Sequence, residues 1–128
     1  MRSLRMATML LCLVLTPAMA VGQSRPDPEG ALYRFASCAG RLSALMEHQW
    51  LMDPAASDRT DGLRRQVLEL LAAVAQDRPA AQAAMMLRIE TKAAHAALLS
   101  AATFGANAAA SDQARRLERA CTSLLGLS

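Results

Sequence analysis

The first twenty residues of this chain limit what can fold, because they have the layout of a segment that is removed before folding. Arg2 and Arg5 give the start a positive charge, and the stretch 6–17 is almost continuously apolar. Residues 18–20, Ala-Met-Ala, place small side chains where signal peptidase requires them. This three-part layout is typical of a secretory signal peptide. We therefore expect residues 1–20 to be cleaved and the mature chain to be exported.

Two other interpretations of the leader fit the sequence less well. An uncleaved anchor needs about twenty apolar residues to span a bilayer, whereas this run is shorter and contains Pro17. Lipid attachment at Cys12 needs a small residue before the cysteine, and Leu11 stands there instead. We expect no membrane span in the mature form.

The charge of the mature chain argues against nucleic acid as a partner. The full chain has 14 basic and 11 acidic residues, and two of the basic ones, Arg2 and Arg5, leave with the leader. The nearly neutral remainder lacks the positive surface that binds a phosphate backbone. All remaining basic residues except Lys92 are arginines, and alanine is abundant, which is typical of a GC-rich bacterial genome. For a bacterial chain, export means the periplasm.

Removal of the leader leaves two cysteines, Cys38 and Cys121. An even pair in an exported protein is most simply a disulfide, because thiols are oxidised in that compartment. The bond would close a loop of 83 residues. Loop-closure entropy gives such a link an upper value of about 4.5 kcal/mol. The alternative is a pair of buried, unbonded thiols.

Residues 29–128 have the composition of an all-α domain, and they follow a disordered linker at 21–28 in which two prolines block helix formation. Alanine and leucine dominate, whereas β-branched and aromatic residues are scarce. Apolar side chains recur at three-four spacing in four segments. The predicted helices cover residues 29–51, 59–75, 79–104 and 111–125.

Each predicted helix has one face that we expect to be buried. These faces are Phe35, Cys38, Leu42 and Leu45 in the first helix, Leu63, Val67, Leu70, Leu71 and Val74 in the second, Met86, Ile89, Ala93 and Ala96 in the third, and Leu117, Cys121 and Leu124 in the fourth. Ser57 or Asp58 is the predicted cap of the second helix. Gly105 is the predicted left-handed terminator of the third. We expect the third helix to be central, because its alanines allow close approach.

Four helices with short connections favour a small antiparallel four-helix bundle. In that arrangement the first and fourth helices run in opposite directions. Cys38 and Cys121 then lie within about one turn of the same level along the bundle. The helical periodicity and the predicted disulfide therefore support the same architecture.

The sequence contains no recognisable metal, haem or catalytic motif. Bundle metal sites use Glu-x-x-His, whereas Glu47 directly precedes His48 and Glu90 lies five residues before His95. A site shared between the two histidines is the remaining metal alternative. Neither Cys-x-x-Cys-His nor Gly-x-Ser-x-Gly is present. We expect no metal, no other cofactor and no enzymatic activity, since no nucleophile has a base beside it.

The segment around Trp50 is the most unusual in composition, because it holds the only tryptophan beside Glu47 and His48. Tryptophan is over-represented in binding hot spots. It can also plug the end of a bundle with its N–H on a carbonyl or on water, and we favour this interpretation. Tyr33 and Arg34, near the other end of the same helix, allow the same two interpretations.

Arg115 and Arg119 share one face of the fourth helix, four residues apart. The ordinary interpretation is a solvated face, and the alternative is contact with an acidic partner or with anionic lipid headgroups. The candidate binding residues are thus Glu47, His48, Trp50, Arg115 and Arg119. We expect a non-enzymatic protein-binding, accessory or chaperone-like module whose partner is another periplasmic protein. A small-ligand or metal-binding bundle is the alternative.

Overall fold

The computed structural model describes residues 25–127, so the predicted signal peptide at 1–20 lies outside the described residues. The described part forms helices and no strand. The helices are α1 (Ala31–Met52), α2 (Pro54–Val74), α3 (Arg78–Phe104) and α4 (Ala108–Leu124). Consecutive helices run in opposite directions, so α1 and α3 are parallel. The predicted all-α four-helix bundle is confirmed.

The centre of the bundle is α1, which packs extensively on both α2 and α3 and also contacts α4, whereas α3 hardly contacts α2. Residues 36–40, Ala-Ser-Cys-Ala-Gly, are all buried, so this part of α1 has neighbours on every side. Small side chains allow that close approach. The expectation that α3 is central was wrong, because Ala93 and Ala96 of α3 face solvent.

The closest approach in the bundle brings α1 onto α3 at Gly40. A Cβ atom at this position would lie 2.5 Å from the carbonyl oxygen of Arg88 and would also collide with the hydroxyl of Thr91. Real Cβ atoms essentially never come so close to backbone. The absence of a side chain at residue 40 therefore sets the distance between α1 and α3.

Three apolar clusters fill the core, and α1 contributes to all of them. They are Cys38, Ala39, Leu42, Val67 and Cys121; Ala36, Leu71, Ala84 and Leu87; and Ala44, Leu99 and Ala114. The predicted disulfide is confirmed between Cys38 and Cys121, whose Cα atoms are 5.4 Å apart. It joins α1 to α4, two helices that otherwise share little contact.

The buried face of α3 differs from the predicted one. The residues that face the core are Ala84, Leu87, His95 and Leu99, whereas the predicted Met86, Ile89, Ala93 and Ala96 are exposed. Leu70 and Val74 of α2 are also exposed, although Val67 and Leu71 are buried as predicted. α3 carries apolar side chains at helical spacing on more than one face, so its periodicity does not select the face that packs.

The second helix begins five residues earlier than predicted. Asp53 is its N-cap and accepts a hydrogen bond from the Ala56 N–H at 3.1 Å, so Ser57 and Asp58 lie inside the helix and are not caps. Pro54 occupies the first turn, where its missing N–H costs nothing. The same proline therefore ends α1 and begins α2. The buried Ser57 instead donates its hydroxyl to the Met46 carbonyl at 2.9 Å, which ties α2 to α1.

The left-handed residue after α3 is Ala106 and not Gly105. Gly105 has a φ of −98°, whereas Ala106 has a φ of 48°. The prediction was wrong because the helix continues into the glycine, and the chain reverses one residue later. Asn107 then caps α4 by accepting a hydrogen bond from the Ala110 N–H at 3.0 Å.

We expect Ala106→Gly to raise the free energy of unfolding by up to about 1 kcal/mol. An L-residue in the left-handed region costs about 1–2 kcal/mol, and the greater freedom of glycine in the unfolded chain offsets part of this gain. Thermal unfolding by circular dichroism measures the change. Ala94→Gly, at an exposed position inside α3, is the matched control and should lower stability. Destabilisation by both substitutions would contradict the expected relief at residue 106.

Candidate functional site

A groove runs along α1 between α2 and α3, because these two helices pack on α1 but contact each other little. Adjoining cavities of about 350 and 430 Å³ form the groove, and both are lined by Met46, Glu47 and Arg64. Trp50 lies at one end and Met85 at the other. We call this surface the α2–α3 groove. Its further lining includes Gly40, Asp58, Asp61, Arg88, Ile89 and Lys92.

Large apolar side chains line the groove and remain open to solvent. Trp50 is 69% exposed, Met85 52% and Ile89 58%. Scattered exposed apolar residues are ordinary, but a contiguous set marks an interaction surface. The interpretation of Trp50 as a plug of the bundle was wrong. Its side chain lies over the cavity between α1 and α2 and does not close the end of the core.

A second apolar surface covers the end of the bundle that holds the α1–α2 and α3–α4 connections. Leu51, Met52 and Phe104 are each more than 60% exposed. They lie at the same end because α1 and α3 are parallel, and a hydrogen bond of 3.1 Å joins His48 Nε2 to Thr103 Oγ1 near this end. We call these three residues the apolar end. It adjoins the tryptophan end of the α2–α3 groove.

Ion pairs occupy the middle of the groove. Lys92 Nζ donates to Glu47 Oε1 at 2.5 Å and bridges α3 to α1. Arg64 and Arg65 both contact Asp61, at 2.7 and 3.3 Å. The hydrogen bond from Arg64 lowers the pKa of Asp61, so this carboxylate stays charged. The charged groups of Glu47, Asp61, Arg64 and Lys92 are thus all engaged in ion pairs within the groove.

Two charged side chains of the groove have no ion-pair partner among residues 25–127. Asp58 lies on α2 near Trp50, and Arg88 lies on α3 near Met85. The Nε atom of Arg88 is buried without a hydrogen-bond partner in the described residues. The groove therefore offers an acidic group toward the tryptophan end and a basic group toward the opposite end.

The residues that the sequence singled out divide among three places. Glu47 and Trp50 line the groove. His48 lies toward α3 and is held by Thr103. Arg115 and Arg119 are exposed on α4, where Arg115 bonds to Asp112 and Ser111. The structure thus brings together two of the five candidates.

The pair formed by the buried His95 and the partly exposed Glu118 was not found from sequence. His95 is 1% exposed, and its Nε2 lies 3.0 Å from Glu118 Oε1. The partner of His95 depends on the register of α3 against α4, which the sequence does not show. The sequence offered only Glu90, five residues earlier, as an acidic neighbour. His48 and His95 have different partners on different faces, so a metal site shared between them is not formed. Among residues 25–127, no three histidine, cysteine or acidic side chains are grouped as metal ligands.

None of the helices within residues 25–127 combines the length and apolarity that a membrane crossing requires. Comparison with protein-family models, with curated proteins and with solved structures found no match.

Proposed function

We propose that this chain is an exported, non-enzymatic helical module that binds a segment of another protein in the α2–α3 groove. One observation carries the proposal. Trp50, Met85 and Ile89 are each more than half exposed, and they line two cavities that share a wall. A tryptophan at the edge of an open groove is the residue type that most often dominates binding energy.

The charges of the groove define the chemistry of the partner. Its floor is apolar at Met46, Asp58 is available near one end, and Arg88 is available near the other. An amphipathic helix fits such a surface by laying its apolar face into the groove. The segment we infer has apolar side chains, a basic residue that meets Asp58 and an acidic residue that meets Arg88.

The shape of the groove favours a polypeptide over an enclosed substrate. Binding sites for small molecules bury most of the ligand surface, whereas this groove is open along its length and its apolar side chains face solvent. The lining residues include neither a histidine nor a cysteine. A binding role therefore accounts for the groove better than catalysis does.

Export is part of the proposal and has two supports. The layout of residues 1–20 is that of a cleaved leader. The structure contains a disulfide between Cys38 and Cys121. Disulfides persist in an oxidising compartment such as the periplasm and are rare in the cytosol.

Site-specific photo-cross-linking in the cell tests both parts. The full chain is expressed with a photoreactive residue at position 50 or 89, and at position 113 on exposed α4 as the control. We expect one defined periplasmic protein in the adducts from positions 50 and 89, none from 113, and a recovered chain that begins at Val21. Equal adducts from all three positions, or a chain that still begins at Met1, would contradict the proposal.

The affinity for the protein identified in that way then tests the role of the tryptophan. Trp50→Ala should raise the Kd by about 30-fold or more, which corresponds to the 2 kcal/mol of a hot spot. Arg119→Ala, on α4, should leave the Kd unchanged. Circular dichroism confirms that both variants keep their helices. An unchanged Kd for Trp50→Ala would remove the α2–α3 groove as the binding surface.

A further inference from the structure

A separate cavity of about 220 Å³ lies between α1 and α4, beside the disulfide. None of its lining residues belongs to the α2–α3 groove. Leu124, Ala120 and the two half-cystines form apolar walls. We call this space the disulfide cavity. It adjoins Tyr33 and Arg34, the pair that the sequence singled out on the first helix.

The disulfide cavity contains a buried hydroxyl group that has no partner. Ser37 is 1% exposed, and its Oγ forms no hydrogen bond with any described residue. Helical serine and threonine hydroxyls commonly donate to the carbonyl four residues back, as Ser43 does to Ala39 at 2.7 Å. Ser37 does not. Its hydroxyl is therefore an unused donor in a residue of the cavity wall.

Two arginines line the same cavity, and neither forms an ion pair within the described part of the chain. Arg34 and Arg41 are seven residues apart on α1, so they lie on the same face two turns from each other. Burial lowers the pKa of Arg41, and the only opposing influence comes from Tyr33. Arg41 is half-buried, whereas Arg34 is exposed. A carboxylate placed between the two side chains would pair both charges.

We propose that the disulfide cavity binds a small carboxylate that has a short apolar tail. The carboxylate lies between the guanidinium groups of Arg34 and Arg41, whose planar forks match its geometry, and accepts a hydrogen bond from Ser37 Oγ. The tail lies against Leu124 and the disulfide. The cavity is smaller than the ~300 Å³ at which pockets for drug-sized ligands begin, so the ligand is about the size of hexanoate.

The proposal explains three features with one ligand. It pairs two arginines, it satisfies a buried hydroxyl, and it fills an apolar space beside the disulfide. A dianion such as inorganic phosphate would meet the arginines but would leave the apolar walls of Leu124 uncovered. This site does not depend on the α2–α3 groove, and the failure of either proposal leaves the other standing.

Titration of the mature protein with hexanoate tests the site, with hexan-1-ol as the uncharged probe of the same length. Amide chemical shifts in ¹H–¹⁵N spectra report the location of binding. We expect saturable shifts at residues 33–41 and 120–124, and an affinity for hexanoate at least ten-fold higher than for hexan-1-ol. Equal affinities, shifts centred elsewhere or no saturation would overturn the proposal.

A pair of arginine variants separates a specific site from general attraction between charges. Arg41→Gln should weaken hexanoate binding at least ten-fold and leave the affinity for hexan-1-ol unchanged. Arg119→Gln, which removes the same charge from exposed α4, should change neither affinity. Equal effects of the two substitutions on hexanoate would show that net charge, and not the cavity, attracts the ligand.

A second variant keeps the test valid if Arg41→Gln fails to fold. Ser37→Ala removes a hydroxyl that makes no hydrogen bond in the protein, so the helices should be retained. It should weaken hexanoate binding several-fold, because the carboxylate loses a donor, while hexan-1-ol binds no more than two-fold differently. Unchanged hexanoate affinity in a folded Ser37→Ala variant would overturn the placement of the carboxylate.

Discussion

Reduction of the bond between Cys38 and Cys121 is expected to lower the free energy of unfolding by about 4 kcal/mol. The bond spans 83 residues, and a loop of that length restricts the unfolded chain strongly. The unfolding free energy of a domain of this size is about 5–15 kcal/mol, so the loss is a large fraction of the total. α4 should be affected most, because its contacts with α1 are few apart from the bond.

Urea unfolding of the oxidised protein, the reduced protein and the Cys38→Ala/Cys121→Ala variant measures the effect. Both the reduced protein and the variant should also melt more than ~15 °C below the oxidised protein, since each kcal/mol shifts Tm by about 4–8 °C in small domains. Equal stabilities of the reduced protein and the variant would show that the loss comes from the missing cross-link and not from replacement of the sulfur atoms. Melting of all three within a few degrees would show that the bundle does not depend on the bond.

Gly40→Ala is expected to lower the free energy of unfolding, although alanine is the better helix former. The added Cβ would meet the backbone of α3, at 2.5 Å from the Arg88 carbonyl oxygen. Backbone atoms cannot rotate away, so α1 and α3 have to separate. Overpacking of this kind costs about 1–3 kcal/mol, and it exceeds the gain in helix propensity of up to about 1 kcal/mol.

Gly62→Ala is the matched control, because residue 62 lies within α2 and a Cβ there meets nothing within 4 Å. This substitution gains helix propensity without a collision and should stabilise the protein by up to about 1 kcal/mol. Chemical denaturation of both variants measures the difference between them. An equal stabilisation at both positions would show that α1 and α3 are not in close contact at Gly40.

The sequence predicted the features of the fold that depend on neighbouring residues. Helical spacing located all four helices, and the termini of three of them differ from the prediction by at most three residues. The start of α2 was missed because Ser57 and Asp58 are also good caps, and the sequence could not show that Asp53 had taken that role. Local signals identify a helix, but several positions can compete to begin it.

The sequence predicted the packing of α3 less well than its position. Met86 and Ile89 are large and apolar, and periodicity favoured their burial, but the core takes Ala84 and Leu87. The reason lies in α1, where Gly40 and its small neighbours admit α3 closely. The register of this crossing decides which face of α3 is buried, and that face carries the large Leu87 as well as the small Ala84.

The candidate site shows the same division. The segment around Trp50 was recognised as the most unusual in composition. The exposure of Trp50 and its position over a groove could not be derived, because the groove exists only where α2 and α3 pack on α1 with little contact between them. Arg41 and Ser37 were not singled out at all. Among residues 25–127, Ser37 Oγ has no hydrogen-bond partner and Arg41 has no ion-pair partner, and both residues line the disulfide cavity. Only the three-dimensional structure reveals these missing contacts.

The sequence by itself determined the helical class, the positions of the helices and the pairing of Cys38 with Cys121, because periodicity and the number of cysteines do not require knowledge of distant contacts. Only the tertiary structure decided that α1 is central, which face of α3 is buried and where the grooves lie. These properties depend on how closely two helices approach. That distance is set by side chains that meet across the bundle and are far apart in the chain.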